Sequence, residues 1–378
     1  MIKIYLLGCI TMLCNTMLAQ IAPSDKYATP ETRRLFANLQ KISTKGYLVG
    51  HQDDLAYGVT WKYEPGMSDV KEVTGDYPGI YGWELGNLEL GRDKNLDGVP
   101  FDKMRQYIIG AYQRGAVITI SWHVNNPFTG KNAWDPAPGS VAAVLPGGSR
   151  HEVYKEYLDK VAAFLHELKG QKGEAVPILW RPFHEHTGGW FWWGANSSTN
   201  EEYKQLFRFS VDYLRNEKHL HNLLIGYNTG TEFASEAQFL ERYPGDDYVD
   251  ILSFDAYQRG EAKYDPVFVK MLDAGLEIIT SIAKKRNKIA AVGETGFNRI
   301  LYSKWFTQAL TPVLKKHRFA YILFWRNAGY KPYDQTTEFY VPYKGHASAA
   351  DFKTFYKLRE TLFEKEVRKE NLYGPAKQ

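Results

Sequence analysis

Eight short apolar runs, rich in β-branched and aromatic residues, recur along this chain. They cover residues 47–51, 79–83, 116–123, 176–183, 222–228, 248–255, 289–294 and 320–325. Hydrophobicity within each run is continuous rather than alternating, which predicts strands buried on both faces, as parallel strands are. Helical patterns lie between them. Thr199-Asn-Glu-Glu202 reads as a capping box opening a helix that carries Tyr203, Leu206, Phe207 and Leu214 on one face. Asp265-Pro266 is an N-cap and first-turn pair ahead of Met271, Leu272, Leu276 and Ile279. Residues 154–168 and 352–363 show the same period. Eight strand–helix units predict an α/β fold, a single (β/α)8 TIM barrel without internal boundary. The stretch before the first run reads as a polar arm, and residues 125–150 as a surface excursion.

With 378 residues, the chain has room for one such barrel. Its 47 basic and 43 acidic side chains nearly balance and form no long basic run, so a nucleic-acid partner is not expected. Residues 1–19 read as an export signal: Lys3, then an apolar core from Ile4 to Leu18, too short for a comfortable membrane span. Leu6-Leu7-Gly8-Cys9 is a weak lipoprotein-like box, and simple cleavage is the preferred reading. The expected mature chain, residues 20–378, is therefore one exported catalytic domain, periplasmic or secreted, and a monomer. Both cysteines, Cys9 and Cys14, fall inside the signal, which removes disulfides, thiolate metal sites and a cysteine nucleophile from the mature chain.

Barrels place chemistry at the C-terminal ends of their strands. Those ends here carry His51, Trp83, Glu84, Trp122, His123, His184, Glu185, Asn228, Asp255, Tyr257, Glu294, Trp325 and Arg326. The fourth run opens into residues 180–194, WRPFHEHTGGWFWWG, where Glu185 lies between two histidines and ahead of Trp190, Phe191, Trp192 and Trp193. Exposed indoles beside a carboxylate suit stacking on sugar rings, although the same aromatics could be core beneath a loop. His184 and His186 would point the same way on an extended chain, but without H-E-x-x-H spacing no metal is expected. Asp93-Lys-Asn-Leu-Asp97-Gly98 begins like a calcium loop and then places Met104 where a bidentate Glu belongs, so it reads as a turn. Glu84 finds no role at this level.

Glu185 and Glu294, at the ends of the fourth and seventh strands, should face each other across the barrel mouth. Two opposed carboxylates are what glycoside cleavage needs, one protonating the leaving oxygen while the other attacks or activates water. Glu185, near the indoles, suits the acid. Glu294, with Tyr257 and His184 able to donate hydrogen bonds to it, suits the ionised partner.

The segments ISWH (120–123), WRPFHE with GGWFWWG (180–194), LSFDAY (252–257), GETG (293–296) and FWRN (324–327) resemble glycoside hydrolase family 26 over nearly the whole mature chain. That resemblance implies a retaining (β/α)8 β-1,4-mannanase without cofactor, acting on β-mannan, galactomannan or manno-oligosaccharides. A β-glucanase or xylanase on the same barrel, or a barrel that only binds glycans, are the alternatives. It implies Glu185 as acid/base and Glu294 as nucleophile, with His184 and Tyr257 positioning the nucleophile. It further implies Trp190 under the leaving-side sugar, Trp325 under the sugar being cleaved, and His123 and Arg326 as binders on the glycone side. Two long loops, after the second and eighth strands, suggest a partly closed glycone end and short products.

Overall fold

The computed structural model describes residues 22–375, so the expected export segment and both cysteines lie outside the described residues. Eight parallel strands form the barrel: β1 Tyr47–Gln52, β2 Ile80–Glu84, β3 Val117–Trp122, β4 Ile178–Pro182, β5 Leu223–Thr229, β6 Ile251–Gln258, β7 Ile289–Phe297 and β8 Tyr321–Phe324. Each pairs with the next, and β8 returns to β1 with Leu48 opposite Tyr321 and His51 opposite Phe324, which closes the sheet. All eight predicted runs are strands. Their continuous apolar character follows from burial on both sides, by the barrel interior and by the helix layer.

Two apolar layers hold the barrel. The larger lies between strands and helices and holds Tyr81, Trp83, Ile118, Trp122, Leu158, Leu276 and many others. The smaller is inside, where Leu48, Ile80, Val117, Leu179, Leu224, Ile251 and Leu323 converge. Leu35, Phe36, Leu39 and Ile42 join the inner layer from a 13-residue helix, Pro30–Ile42, that seals the N-terminal end of the barrel. This helix corrects the expected polar arm. Pro30 opens it at the first turn, the Thr29 hydroxyl accepts from Thr32 N at 3.3 Å, and its apolar residues fall on one face.

The capping box is formed, with Thr199 and Glu202 bonding reciprocally ahead of the helix Asn200–Asp212. Asp265 caps Pro266–Arg286. The helical period read over 352–363 ends early: Ala349–Tyr356 is helix, and Thr361–Leu362 then turns extended to pair with β1. After β8 the chain makes a small antiparallel hairpin, β9 Gly329–Lys331 with β10 Thr336–Glu338, standing above the mouth. Residues 125–150 form the expected excursion, irregular apart from the short helix Ser140–Val144. No described helix is long and apolar enough to cross a membrane.

Candidate active site

Glu185 follows β4 in a tight turn where Phe183 and Glu185 both adopt φ of 51°. Non-glycine residues in that region are uncommon and cluster at functional sites. The turn also corrects two expectations. Because the chain is not extended there, His184 and His186 diverge: His184 Nε2 meets His123 Nε2 at 3.1 Å, while His186 is buried against Tyr203 and Tyr227. The indole wall divides in the same way. Phe191, Trp192 and Trp193 are core, the two indoles donating to Val124 O and His184 O, and only Trp190 remains exposed, at 39%. Its Nε1 donates to Glu185 Oε2 at 2.8 Å.

Glu294 owes its inward aim to a bulge. Opposite β6, Phe254 pairs with Val292 but Asp255 pairs with Glu294, so Gly293 is the extra residue. A bulge re-aims the side chains beyond it. Only glycine fits at that point, since a Cβ would lie 2.0 Å from Asn228 Oδ1 and 2.7 Å from Asp255 Oδ1. Glu294 then accepts from Tyr257 OH at 2.7 Å and from the Arg181 guanidinium. His184 supplies no hydrogen bond to it, contrary to expectation; Arg181 takes that place. Arg181 also donates to Asp255 Oδ2 at 3.2 Å, and Asn228 donates to the same oxygen at 2.7 Å. An arginine inside a buried run was the available signal, because an arginine is rarely buried without a partner.

Carboxylate oxygens from Glu185, Asp255 and Glu294 lie within 4.8 Å of one another. Their surroundings separate their acidities. Burial, and then the charge of Glu294, push the Glu185 carboxyl up to about 7. Asp255 is raised well above the usual carboxylate range by the same two causes, with Arg181 opposing. Tyr257 is held as a neutral donor by burial and by the charge of Glu294. The arrangement thus holds one carboxyl, Glu185, that keeps its proton near neutrality beside another, Glu294, that accepts hydrogen bonds from Tyr257 and Arg181.

Glu84 now has a place. Its carboxylate accepts from Ser121 Oγ at 2.6 Å, His123 N at 2.6 Å and His123 Nδ1 at 2.8 Å. Burial opposes charge on both partners, but the pairing outweighs it, lowering Glu84 and raising His123. Trp134, from the 125–150 excursion, stacks on His123 with centroids 4.9 Å apart and remains 48% exposed. Arg326 binds Asp97 Oδ1 at 2.5 Å. The Asp93–Gly98 stretch is a turn organised by Asn95, whose Oδ1 accepts from Asp97 N and Val99 N. Trp325 is half-buried beside Tyr257 and Tyr340 on the β6–β8 flank of the mouth.

A closed (β/α)8 barrel with two carboxylates from opposite strands meeting beside an exposed indole defines the glycoside hydrolase class. The chain belongs to glycosyl hydrolase family 26, which matches residues 24–328. It is 34% identical over 358 residues to a mannan endo-1,4-beta-mannosidase of Bifidobacterium adolescentis, covering 90% of this chain and 35% of that protein. It spans about half, 51%, of a second mannan endo-1,4-beta-mannosidase, from Thermothelomyces thermophilus. Among solved structures, a GH26 beta-mannanase from Bacteroides ovatus superposes with a TM-score of 0.87 at 43% identity, covering 92% of this chain and 98% of that one. A modular endo-beta-1,4-mannanase from Cellulomonas fimi gives 0.84 at 34% identity, covering 94% and 80%.

Proposed function

We propose that this chain is an exported, retaining endo-β-1,4-mannanase acting on mannan and galactomannan. Residues 20–378 act as one catalytic domain and residues 1–19 as its export signal. The single observation that carries the chemistry is the approach of Glu185 and Glu294 with opposite electrostatic surroundings. Their oxygens lie within 4.8 Å, shorter than the roughly 6.5–9.5 Å separation that accommodates an inverting water. Family membership and the similarity to mannanases support the substrate.

In the first step Glu294 Oε attacks the anomeric carbon while Glu185 gives its proton to the departing glycosidic oxygen. Tyr257 and Arg181 hold Glu294 in place by donating hydrogen bonds to its two oxygens. Once Glu294 is esterified its charge is gone, and with it the second cause of the raised pKa at Glu185. Glu185 then falls in pKa and takes a proton from the incoming water, which releases the sugar with its configuration kept. Trp190 supports the leaving-side sugar, Trp325 the sugar being cleaved, and His123 and Arg326 its glycone side. His184 steadies His123.

A second reading rests on a weaker likeness, 26% identity over 233 residues, to a protein named Endoglucanase H from Acetivibrio thermocellus. Reducing-sugar release from mannan, mixed-linkage β-glucan and xylan decides between them. Preference for mannan is expected. Preference for β-glucan gives the second reading, and no release from any of the three leaves a barrel that only binds.

A further inference from the structure

Three hollows open at the barrel mouth. One of about 440 Å³ lies beside the ends of β8, β1 and β2, with Tyr57, Trp61, Asp97, Arg326 and Tyr330 on its walls. Another of about 410 Å³ lies on the opposite side of the barrel, between Glu185 and Trp190 and the loops carrying Glu232 and Asp265. A polysaccharide running from the first to the second crosses the mouth over Glu294 and Glu185. The third, about 360 Å³, lies off that path on the β6–β7–β8 flank. Its inner wall is Trp325, Tyr257 and Tyr340, so it opens directly beside the sugar platform.

We propose that this lateral hollow receives a sugar branch carried by the backbone sugar held over Trp325, such as the galactosyl group of galactomannan. The inference rests on the mannanase reading and goes beyond it. A backbone sugar would have to leave the line between the other two hollows to enter; a branch would not. The volume lies within the ~300–1,000 Å³ of small-ligand sites. The outer wall suits hydroxyl groups. Arg299 lines it, together with Arg259, which also borders the hollow beside Glu185 and Trp190, and neither guanidinium has a hydrogen-bond or ion-pair partner among the described residues. Each presents a planar fork of N–H donors to whatever acceptor enters.

The wall is also held in an unfavourable shape. Arg299 has φ of 63° and Ile300 of 44°, and a β-branched residue there is a genuine outlier. The turn stays because Arg299 N donates to Phe339 O at 2.8 Å, Phe339 N donates to Asn298 Oδ1 at 3.3 Å, and Ile300 is buried. Strain kept in place by its surroundings is what a shaped binding wall shows.

The sugar over Trp325 becomes the reducing end of the product leaving on its side, because cleavage occurs at its anomeric carbon. A limit digest of galactomannan should therefore contain oligosaccharides bearing galactose on the reducing-end mannose. Branches found at every position except that one overturn the proposal. Leu301, 38% exposed on the outer wall, offers a filling variant that spares the core. Leu301→Trp should lower kcat/KM on galactomannan about tenfold or more and leave linear manno-oligosaccharides unchanged. Arg299→Ala should lower it in the same sense by less. Equal losses on both substrates would make the hollow part of the backbone site and overturn the branch assignment. If the unaltered protein fails to cleave linear mannan, the mannanase reading fails, and the digest is then not needed to see it.

Discussion

At the floor of the barrel the inward positions are Leu48, Ile80, Val117, Leu179, Leu224 and Ile251. Two or four residues further along the same strands, on the same inward face, stand Gln52, Glu84, Ser121, Arg181, Asn228 and Asp255. The floor is apolar and sealed by Phe36 and Leu39. The mouth is buried as well, yet polar, and Gln52 Nε2, His184 Nδ1 and Asp255 Oδ1 find no partner among the described residues. A buried polar group without a partner costs about 1–3 kcal/mol. One set of strands therefore stabilises the fold at one end and holds buried polar groups at the other at a cost to stability. Substitutions at the two ends should separate into losses of stability and losses of chemistry.

The largest effect expected is at the mouth. Glu294→Ala should lose several powers of ten on mannan and on a dinitrophenyl mannoside alike, since no covalent intermediate can form. Glu185→Ala should still form that intermediate from the dinitrophenyl mannoside, whose leaving group needs no proton, and then stall. Acid–base help alone is about 10²–10⁴-fold. Azide, which needs no base, should restore turnover to a β-configured mannosyl azide. Azide rescue of the Glu294 variant to an α-product, with the Glu185 variant dead, reverses the two roles. Both variants should melt near the unaltered protein; large drops in Tm would break the separation of the two ends.

Next in size is the floor. Phe36→Ala removes a fully buried ring at the seal and should cost about 3–5 kcal/mol of stability. Denaturant unfolding measures it. The folded fraction should keep its kcat/KM, and a matching fall in kcat/KM would tie the floor to the chemistry.

The two ends also differed in how plainly the sequence announced them. The eight strands could be read because burial on both faces writes an uninterrupted apolar run. Glu185 and Glu294 could be read because each ends such a run. The seal could not, because Leu35, Phe36, Leu39 and Ile42 are diluted among Arg33, Arg34 and Gln40, which stay at least partly exposed, and Asn38, a polar residue that is itself buried. Within the mouth, the parts that stayed hidden are those joined by turns or distant loops. No local pattern shows that φ of 51° at Phe183 and Glu185 sends Trp192 and Trp193 inward, or that Asp97 reaches Arg326. Glu84 could not be placed until β2 and β3 paired it with Ser121, which brings it under His123. Arg181, not His184, meets Glu294 because β4 and β7, which do not pair, both aim these side chains into the barrel mouth.

A smaller effect follows from acidity. Glu185, raised to about 7 by burial and Glu294, must carry its proton in the first step. Above that value the protonated fraction falls tenfold per pH unit, so kcat/KM on mannan should decline through an alkaline limb centred near 7. The dinitrophenyl mannoside needs no proton, and its intermediate-forming step should lack that limb. An identical limb on both substrates would assign it to another group at the mouth and weaken the case for Glu185 as the acid.

The smallest effect expected is on product length. The loops after β1, β2 and β8 meet around the hollow that holds Arg326, with Tyr330 of the β9–β10 hairpin 62% exposed at its edge. If the chain acts on mannan as proposed, a hairpin standing there would shorten the glycone end of the cleft and favour short products. Tyr330→Ala should open that end: products should lengthen and kcat/KM on short manno-oligosaccharides should fall a few-fold, without change in Tm. Loop direction is what makes this more than a statement about loop length, because the hairpin packs toward the hollow lined by Tyr57 and Asp97 rather than away from it. A broad product ladder with a rapid fall in viscosity from the unaltered protein would show that the hairpin does not close the cleft. The mouth would then be bounded by the barrel rim alone, and the hollow around Arg326 would be open at its outer end.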